Sequence, residues 1–393
     1  MSYLNLVKSN VLSRFHIEFQ KKYVCVQWFY GFDDFGSILS KLLKSFLLCS
    51  WGYILNCAVI FGGTGFIGAF FARHLLENQG FEKVYLYDHE PLSIKTSSFR
   101  RKMLESYSEI HVVVGDVRQL IEWVPSESVT LVANFAAVHR EPGHEGYEYY
   151  QSNLLGAENI CKWAEHVNCE KVIFTSSIAP YGPSEEFKDE SSLPVPTTAY
   201  GSSKLAAEKI HQVWQAKNID ARQLVIVRPG VVFGPGEGGN VSRLIKAVRN
   251  RYFFYTGNQK TRKAGVYVKE LCNAMCWVLN DEKSQADRVT LFNMSMNPCP
   301  SIEEYVNAIA GVSGINVWIP RVPVKFLLIA SYLIDCLTKP FAINHPFSSV
   351  RIKKLTRSNN IYPAYLASNG YTSIYSLEEA LADWRQDCPE EWS

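Results

Sequence analysis

Short apolar runs alternate with amphipathic stretches from residue 57 onward. The runs lie at 58–61, 84–87, 111–114, 131–135, 171–175 and 224–228, each brief and rich in Val, Ile, Phe or Tyr, so each predicts a strand. The stretches 69–76, 153–167 and 202–216 predict helices between them. Strand then helix, repeated, is the pattern of a parallel sheet, because parallel neighbours need a crossover and the crossover helices cover both faces. After Gly236 the alternation weakens, and 241–249, 268–279 and 301–310 predict smaller elements. The expected organisation is an α/β, doubly wound, Rossmann-type domain over 56–235 and, over 236–393, mostly a smaller C-terminal lobe that closes over a substrate.

Residues 1–55 stand apart. They are rich in Phe, Leu and Tyr without a steady period, and lack the basic start, apolar core and small-residue cleavage site of a signal peptide. They are read as a poorly packed extension or an over-long start assignment, with a membrane-associating or capping segment as the alternative. Two apolar stretches are candidate membrane segments. The first, 46–61, ends as the first strand; the second, 322–337, contains Lys325 and Asp335 and is too short to span. It reads either as a core helix or as a patch lying on a bilayer surface.

The bulk composition changes little. The chain has 393 residues, 47% hydrophobic and 20% charged, with a net charge of +2, which suits a globular protein and gives no reason to expect nucleic acid as a partner. Ten cysteines fall at irregular positions, and Cys272 and Cys276, one helical turn apart, have no His or Cys companions nearby. This usage predicts reduced, buried thiols in the cytoplasm and no metal site.

The chemistry starts at 58–68, AVIFGGTGFIG, where a buried strand runs into Gly62, Gly65 and Gly68 and then a helix. Glycines allow a backbone turn close to a pyrophosphate, and the helix start offers N–H groups and a positive dipole end to it. Asp88, at the end of the next strand, is placed to accept from adenosine ribose hydroxyls, favouring NAD; Arg100 and Arg101 keep NADP as the alternative. Asp116, after a third strand, faces the adenine or is a solvated loop residue. Tyr200 and Lys204 are four apart and share a helix face, so the ammonium can favour a phenolate that takes a proton from a hydroxyl. Ser177, at the end of the fifth strand, can bond the same oxygen; Ser176 is the alternative.

These motifs, with Asn134-Phe135-Ala136-Ala137 and Arg228-Pro229-Gly230-Val231-Val232-Phe233-Gly234-Pro235, occur in the order of an extended short-chain dehydrogenase/reductase, and from Ala58 to about Trp384 the chain resembles the sugar-nucleotide epimerase and dehydratase family. The resemblance implies NAD held by Gly62, Gly65, Phe66, Ile67, Gly68, Asp88, Asp116, Val117, Ala136, Ala137, Asn153, Tyr200 and Lys204. It implies catalysis by Ser177, Tyr200 and Lys204, and a substrate diphosphate met by Asn240. Lys263 and Arg351 are assigned to the same diphosphate, with Arg243 and Lys246 left open. Dehydratases of the family have Thr-Asp-Glu where this chain has Ser177-Ile178-Ala179, and decarboxylases usually have Glu at the Ala179 position, so a C4 epimerase is the implied branch.

Ordinary UDP-hexose 4-epimerases commonly have Asn at the Val231 position and Lys at that of His139. The segments 136–140 and 239–241, Lys263 with Tyr267-Val268, and 348–354 are instead similar to epimerases of polyprenyl-diphosphate-linked N-acetylhexosamine in surface-polysaccharide synthesis. The resemblance therefore implies a diphosphate-linked sugar as substrate. A homodimer and a peripheral contact with the inner face of the cell membrane are further expectations. A one-way dehydrogenase or reductase of a ketosugar or sterol-like alcohol, and a non-catalytic nucleotide sensor, are the competing functions.

Overall fold

Cys57–Phe61 is apolar at every position, and as strand β1 it is wholly buried. The computed structural model describes residues 56–92, 97–139, 143–326, 329 and 357–393. In it, β1 is followed by α1 (Phe66–Asn78), β2 (Lys83–Asp88), α2 (Ser98–Glu105), β3 (Ile110–Val114) and β4 (Val129–Asn134). Then come α3 (Gly146–Tyr150), a π-helical turn (Gln151–Leu155), α4 (Gly156–His166), β5 (Lys171–Thr175), β6 (Ser184–Lys188), α5 (Ala199–Ala216), β7 (Gln223–Pro229) and β8 (Val231–Phe233). The remainder holds α6 (Asn240–Arg249), β9 (Tyr255–Thr256), β10 (Gly265–Tyr267), α7 (Val268–Asn280), α8 (Glu282–Asp287), β11 (Val289–Met294), α9 (Ile302–Ser313), β12 (Arg321–Val322), β13 (Asn359–Ile361), α10 (Ala364–Ser368) and α11 (Leu377–Asp387).

Seven strands form one sheet in the order β3-β2-β1-β4-β5-β7-β11, and every pairing is parallel. Alternate side chains of β1 serve opposite faces. Ala58 and Ile60 join Phe71, Leu75, Leu271 and Met275 of α1 and α7, while Val59 and Phe61 join Ile160, Trp163, Ala207 and Trp214 of α4 and α5. The strand order reverses between β1 and β4, and the carboxyl ends of strands at such a switch point are where open sheets of this kind bind ligands.

All six expected strands are present. The seventh, β11, was not expected, because Thr290 and Asn293 interrupt its apolar run. Both are nonetheless buried: Thr290 Oγ1 donates to Ser284 Oγ at 2.8 Å, and Asn293 Oδ1 accepts from the Tyr181 hydroxyl at 2.8 Å. The chain thus returns to the sheet after the boundary expected near 235, with α7 covering one face and β11 pairing with β7. The smaller elements before and after these returns, α6 and β9, then α9 and β12, lie outside the sheet. The expectations for 1–55, Arg351, the segment 348–354 and most of 322–337 lie outside the described residues.

Candidate active site

The glycine loop closes tightly over the end of β1. Gly62 has φ +74°, and a Cβ there would lie 2.7 Å from the Ala136 nitrogen; a Cβ at Gly68 would lie 2.6 Å from the Gly62 carbonyl. No side chain larger than hydrogen fits either place. Gly65 caps α1 without a side-chain bond, and no carboxylate sits in the first turn, so the N–H groups of Phe66 and Ile67 begin a helix with its positive end uncovered. Asp88 is buried at the end of β2, where Oδ2 accepts from Thr64 N at 3.1 Å and from Thr64 Oγ1 at 2.8 Å. Arg100, the NADP alternative, reaches back to the Thr64 carbonyl at 3.0 Å. A narrow, uncapped helix start with a carboxylate beside it suits the pyrophosphate and ribose of a dinucleotide, so the residues present fit NAD.

Asp116 follows β3, and its carboxylate takes Arg118 Nη2 at 2.6 Å and Arg118 Nε at 2.9 and 3.0 Å; these bonds hold it below the usual carboxylate range. The Val117 carbonyl accepts from Asn159. Asn153 is buried, and its amide accepts from Val138 N at 2.9 Å and donates to Ser203 Oγ at 2.9 Å and Val138 O at 3.3 Å. It ties the stretch that follows Ala136 and Ala137 to α5.

Helix α5 starts at Ala199 rather than at the expected 202, because Thr198 Oγ1 accepts from Gly201 N at 3.1 Å and caps it. Tyr200 therefore lies in its first turn and Lys204 one turn on. Lys204 is buried and donates to the Thr175 carbonyl at 2.7 Å, with its ammonium 4.7 Å above the Phe174 ring. Burial pushes that ammonium down to about 7, against the pull of Glu208. At Gly201 a Cβ would lie 2.7 Å from the Ala179 carbonyl, so helix and turn touch backbone to backbone. The contacts at Thr175 and Ala179 bracket Ser177 from either side.

The two serines have separate fates. Ser176 is buried and donates to Glu208 at 2.5 Å, so it belongs to the framework. Ser177 is half-buried, and among the described residues its Oγ accepts only from Ala179 N, at 3.1 Å, leaving its own proton to give. Sequence reasoning missed Glu208, which also takes Arg228 Nε at 2.8 Å and Nη2 at 2.7 Å, and whose position four residues after Lys204 on the same helix was the available signal. Arg228 in turn lies 4.7 Å over the Tyr181 ring.

The lobe residues are already engaged. Asn240 begins α6, exposed, and accepts from Arg243 at 2.8 Å. Glu237 crosses the same helix start, taking Ser242 N at 3.0 Å, and burial pushes its carboxyl up. Lys263 donates to the Arg357 carbonyl, and burial lowers its ammonium.

Among curated relatives, the N-acetyl-alpha-D-glucosaminyl-diphospho-ditrans,octacis-undecaprenol 4-epimerase of Escherichia coli O157:H7 is 28% identical over 311 residues, covering 78% of this chain and 92% of its own. A UDP-glucose 4-epimerase of Halalkalibacterium halodurans is 30% identical over 158 residues, 39% of this chain and 44% of its own. The solved UDP-glucuronic acid 4-epimerase of Bacillus cereus, in complex with NAD, superposes with a TM-score of 0.65 at 17% identity, covering 86% of this chain and 100% of that one. Residues 58–293 match the family described as NAD dependent epimerase/dehydratase, from the first strand of the sheet into its last. That match takes in more than half of the 393 residues, and the chain belongs to the NAD dependent epimerase/dehydratase family.

Proposed function

We propose that the protein is an NAD-dependent C4 epimerase of a hexose or N-acetylhexosamine carried on a nucleotide diphosphate or a polyprenyl diphosphate. The observation that carries this is the bracket at the sheet's carboxyl edge: Lys204 fixed on Thr175 and Gly201 fixed on Ala179, with Ser177 between them. NAD, when bound, supplies a hydride acceptor and donor for one sugar carbon. Tyr200 then takes the proton of the hydroxyl on that carbon and returns it, while Ser177 donates to the same oxygen. Lys204 favours the phenolate through its charge. Ile178 packs with Tyr181, Ala264, Cys299 and Ile361, and Ala179 presses on the helix, so neither position offers the acid or base that loss of water from the sugar requires.

The lipid carrier is favoured by the Escherichia coli relative, whose name places its sugar on undecaprenyl diphosphate. Asn240 and Lys263 are the proposed diphosphate partners in the lobe. None of the helices among the described residues is long and apolar enough to cross a membrane; the lipid-linked sugar named for that relative is what supports a peripheral contact with the inner face of the membrane. A homodimer is part of the proposal, with the exposed Tyr147, Tyr150 and Leu155 as its candidate contacts. The test is incubation with UDP-N-acetylglucosamine and with its polyprenyl-diphosphate counterpart, each analysed for the C4 epimer. NADH that accumulates with turnover, without an epimer, would make the protein a one-way dehydrogenase instead.

A further inference from the structure

Two segments distant in sequence meet at β9 and β12, and neither carries a carboxylate. Residues 238–269 contain eight Lys or Arg and no Asp or Glu, although Arg262 pairs with Glu304 and Lys269 with Asp383 and Asp387 from other elements; residues 311–329 contain Arg321 and Lys325 and no Asp or Glu. The strands are parallel, with Arg321 opposite Tyr255 and Val322 opposite Thr256, so Trp318 and Tyr252, each three residues earlier, lie at the same end of the ribbon. Ile315, Val317, Ile319 and Phe253 pack on the core. The intervening positions therefore point away from it. Trp318 is 87% exposed, Tyr252 57%, Phe326 68% and Ile329 60%, and Arg321 and Lys325, in the same segment as Trp318, Phe326 and Ile329, are exposed as well.

The carboxylate that acts on this ribbon, Glu303, is bonded by Gln259 and faces Tyr255 as Arg321 does, so Arg321 and Lys325 together leave the exposed apolar groups beside a net positive charge; such a surface suits an anionic partner that also takes apolar side chains. We propose that the β9 and β12 ribbon is the face by which this protein rests on an anionic lipid bilayer. Trp318, Tyr252, Phe326 and Ile329 enter the interface, and Arg321 and Lys325 meet the headgroups. A second copy of this chain is disfavoured as occupant, because a symmetric pair would set the same cations against each other. Single-stranded nucleic acid offers bases to stack but nothing for the aliphatic side of Phe326 and Ile329. The proposal gives the lipid-linked reading of the substrate a surface to act from, rests on that reading for its purpose, and is tested apart from it.

The test is flotation of the full chain with vesicles of phosphatidylcholine alone and of phosphatidylcholine mixed with phosphatidylglycerol, at low and high salt. The parent protein should float with the mixed vesicles only, and less at high salt. Arg321→Gln with Lys325→Gln should weaken that partitioning by about fivefold for each cation lost, and Trp318→Ser should weaken it at both salt concentrations. Retained NAD content shows that each variant is folded. Equal flotation of parent and variants, or of the parent with both vesicle types, overturns the proposal. So does a Trp318→Ser variant that floats like the parent but sediments as a smaller species, or binding of single-stranded DNA that vesicles fail to displace. Flotation without conversion of a lipid-linked sugar leaves this face standing and removes the substrate reading; conversion in detergent without flotation does the reverse.

Discussion

Replacing Arg228 with methionine leaves a carboxylate stranded in the core. The Glu208 and Arg228 side chains are only 3% and 4% exposed, and among the described residues the guanidinium supplies two of the three hydrogen bonds to that carboxylate. Two charge-assisted bonds at about 1.5–3 kcal/mol each give a loss of about 3–6 kcal/mol, and breaking a buried pair from one side costs about 3–5 kcal/mol. The two routes agree near 4 kcal/mol, a large share of the roughly 5–15 kcal/mol that holds most proteins folded. Equilibrium unfolding in urea, followed by the fluorescence of the buried Trp214 and Trp384, measures it. Removing the stranded charge as well, in Arg228→Met with Glu208→Gln, should recover at least about 1 kcal/mol relative to the single variant. A single variant within about 1 kcal/mol of the parent, or a double variant whose loss is the simple sum of the two, would refute the account of this pair.

Tyr200→Phe should keep NAD and fold but lose about 10²–10⁴-fold in turnover, read as kcat on whichever substrate is converted. Ser177→Ala should lower kcat with an unchanged urea midpoint, whereas Ser176→Ala should lower the midpoint first, since it strips a bond from buried Glu208; the reverse pattern would exchange their roles. Lys204 gives a pH signature in stability. Its folded value, about 7, lies below the ordinary 10.5, so between these the unfolded chain binds the extra proton and stability should rise with pH, by up to about 1.4 kcal/mol per pH unit. Below about 7 both states carry the proton and the buried ammonium exerts its full destabilising effect; Lys204→Met should remove the slope, as read from urea midpoints across that window.

The sheet was legible because its central strands are buried on both faces and so are apolar without interruption, as in β1 and in β5 after its exposed Lys171. β11 was not, because burial there is combined with hydrogen bonding: Asn293 and Thr290 look like surface residues until Tyr181 and Ser284 are placed beside them. The same holds at the site. Gly62, Asp88, Tyr200 and Lys204 could be read from local spacing within one strand-to-helix unit or one helical turn. Glu208 becomes a partner of Ser176 and Arg228 only when three separate segments converge, and Asn153 turns out to spend its amide on Val138 and Ser203. Periodicity reports what a residue's own element does; it is silent about partners from another element.

The contact between Gly201 and Ala179 has a consequence for how this enzyme can change. Main-chain atoms have no rotamers, so the spacing between the helix that carries the phenol and the turn that carries the serine does not depend on how any side chain is oriented. Substitutions in the surrounding lobe can reshape what is held there without retuning that spacing. A substitution at position 201 itself would shift Tyr200 and Lys204 together relative to Ser177, as one rigid piece. The chemistry and the choice of sugar can therefore drift independently, and one hydrogen atom in place of a methyl group is what separates them.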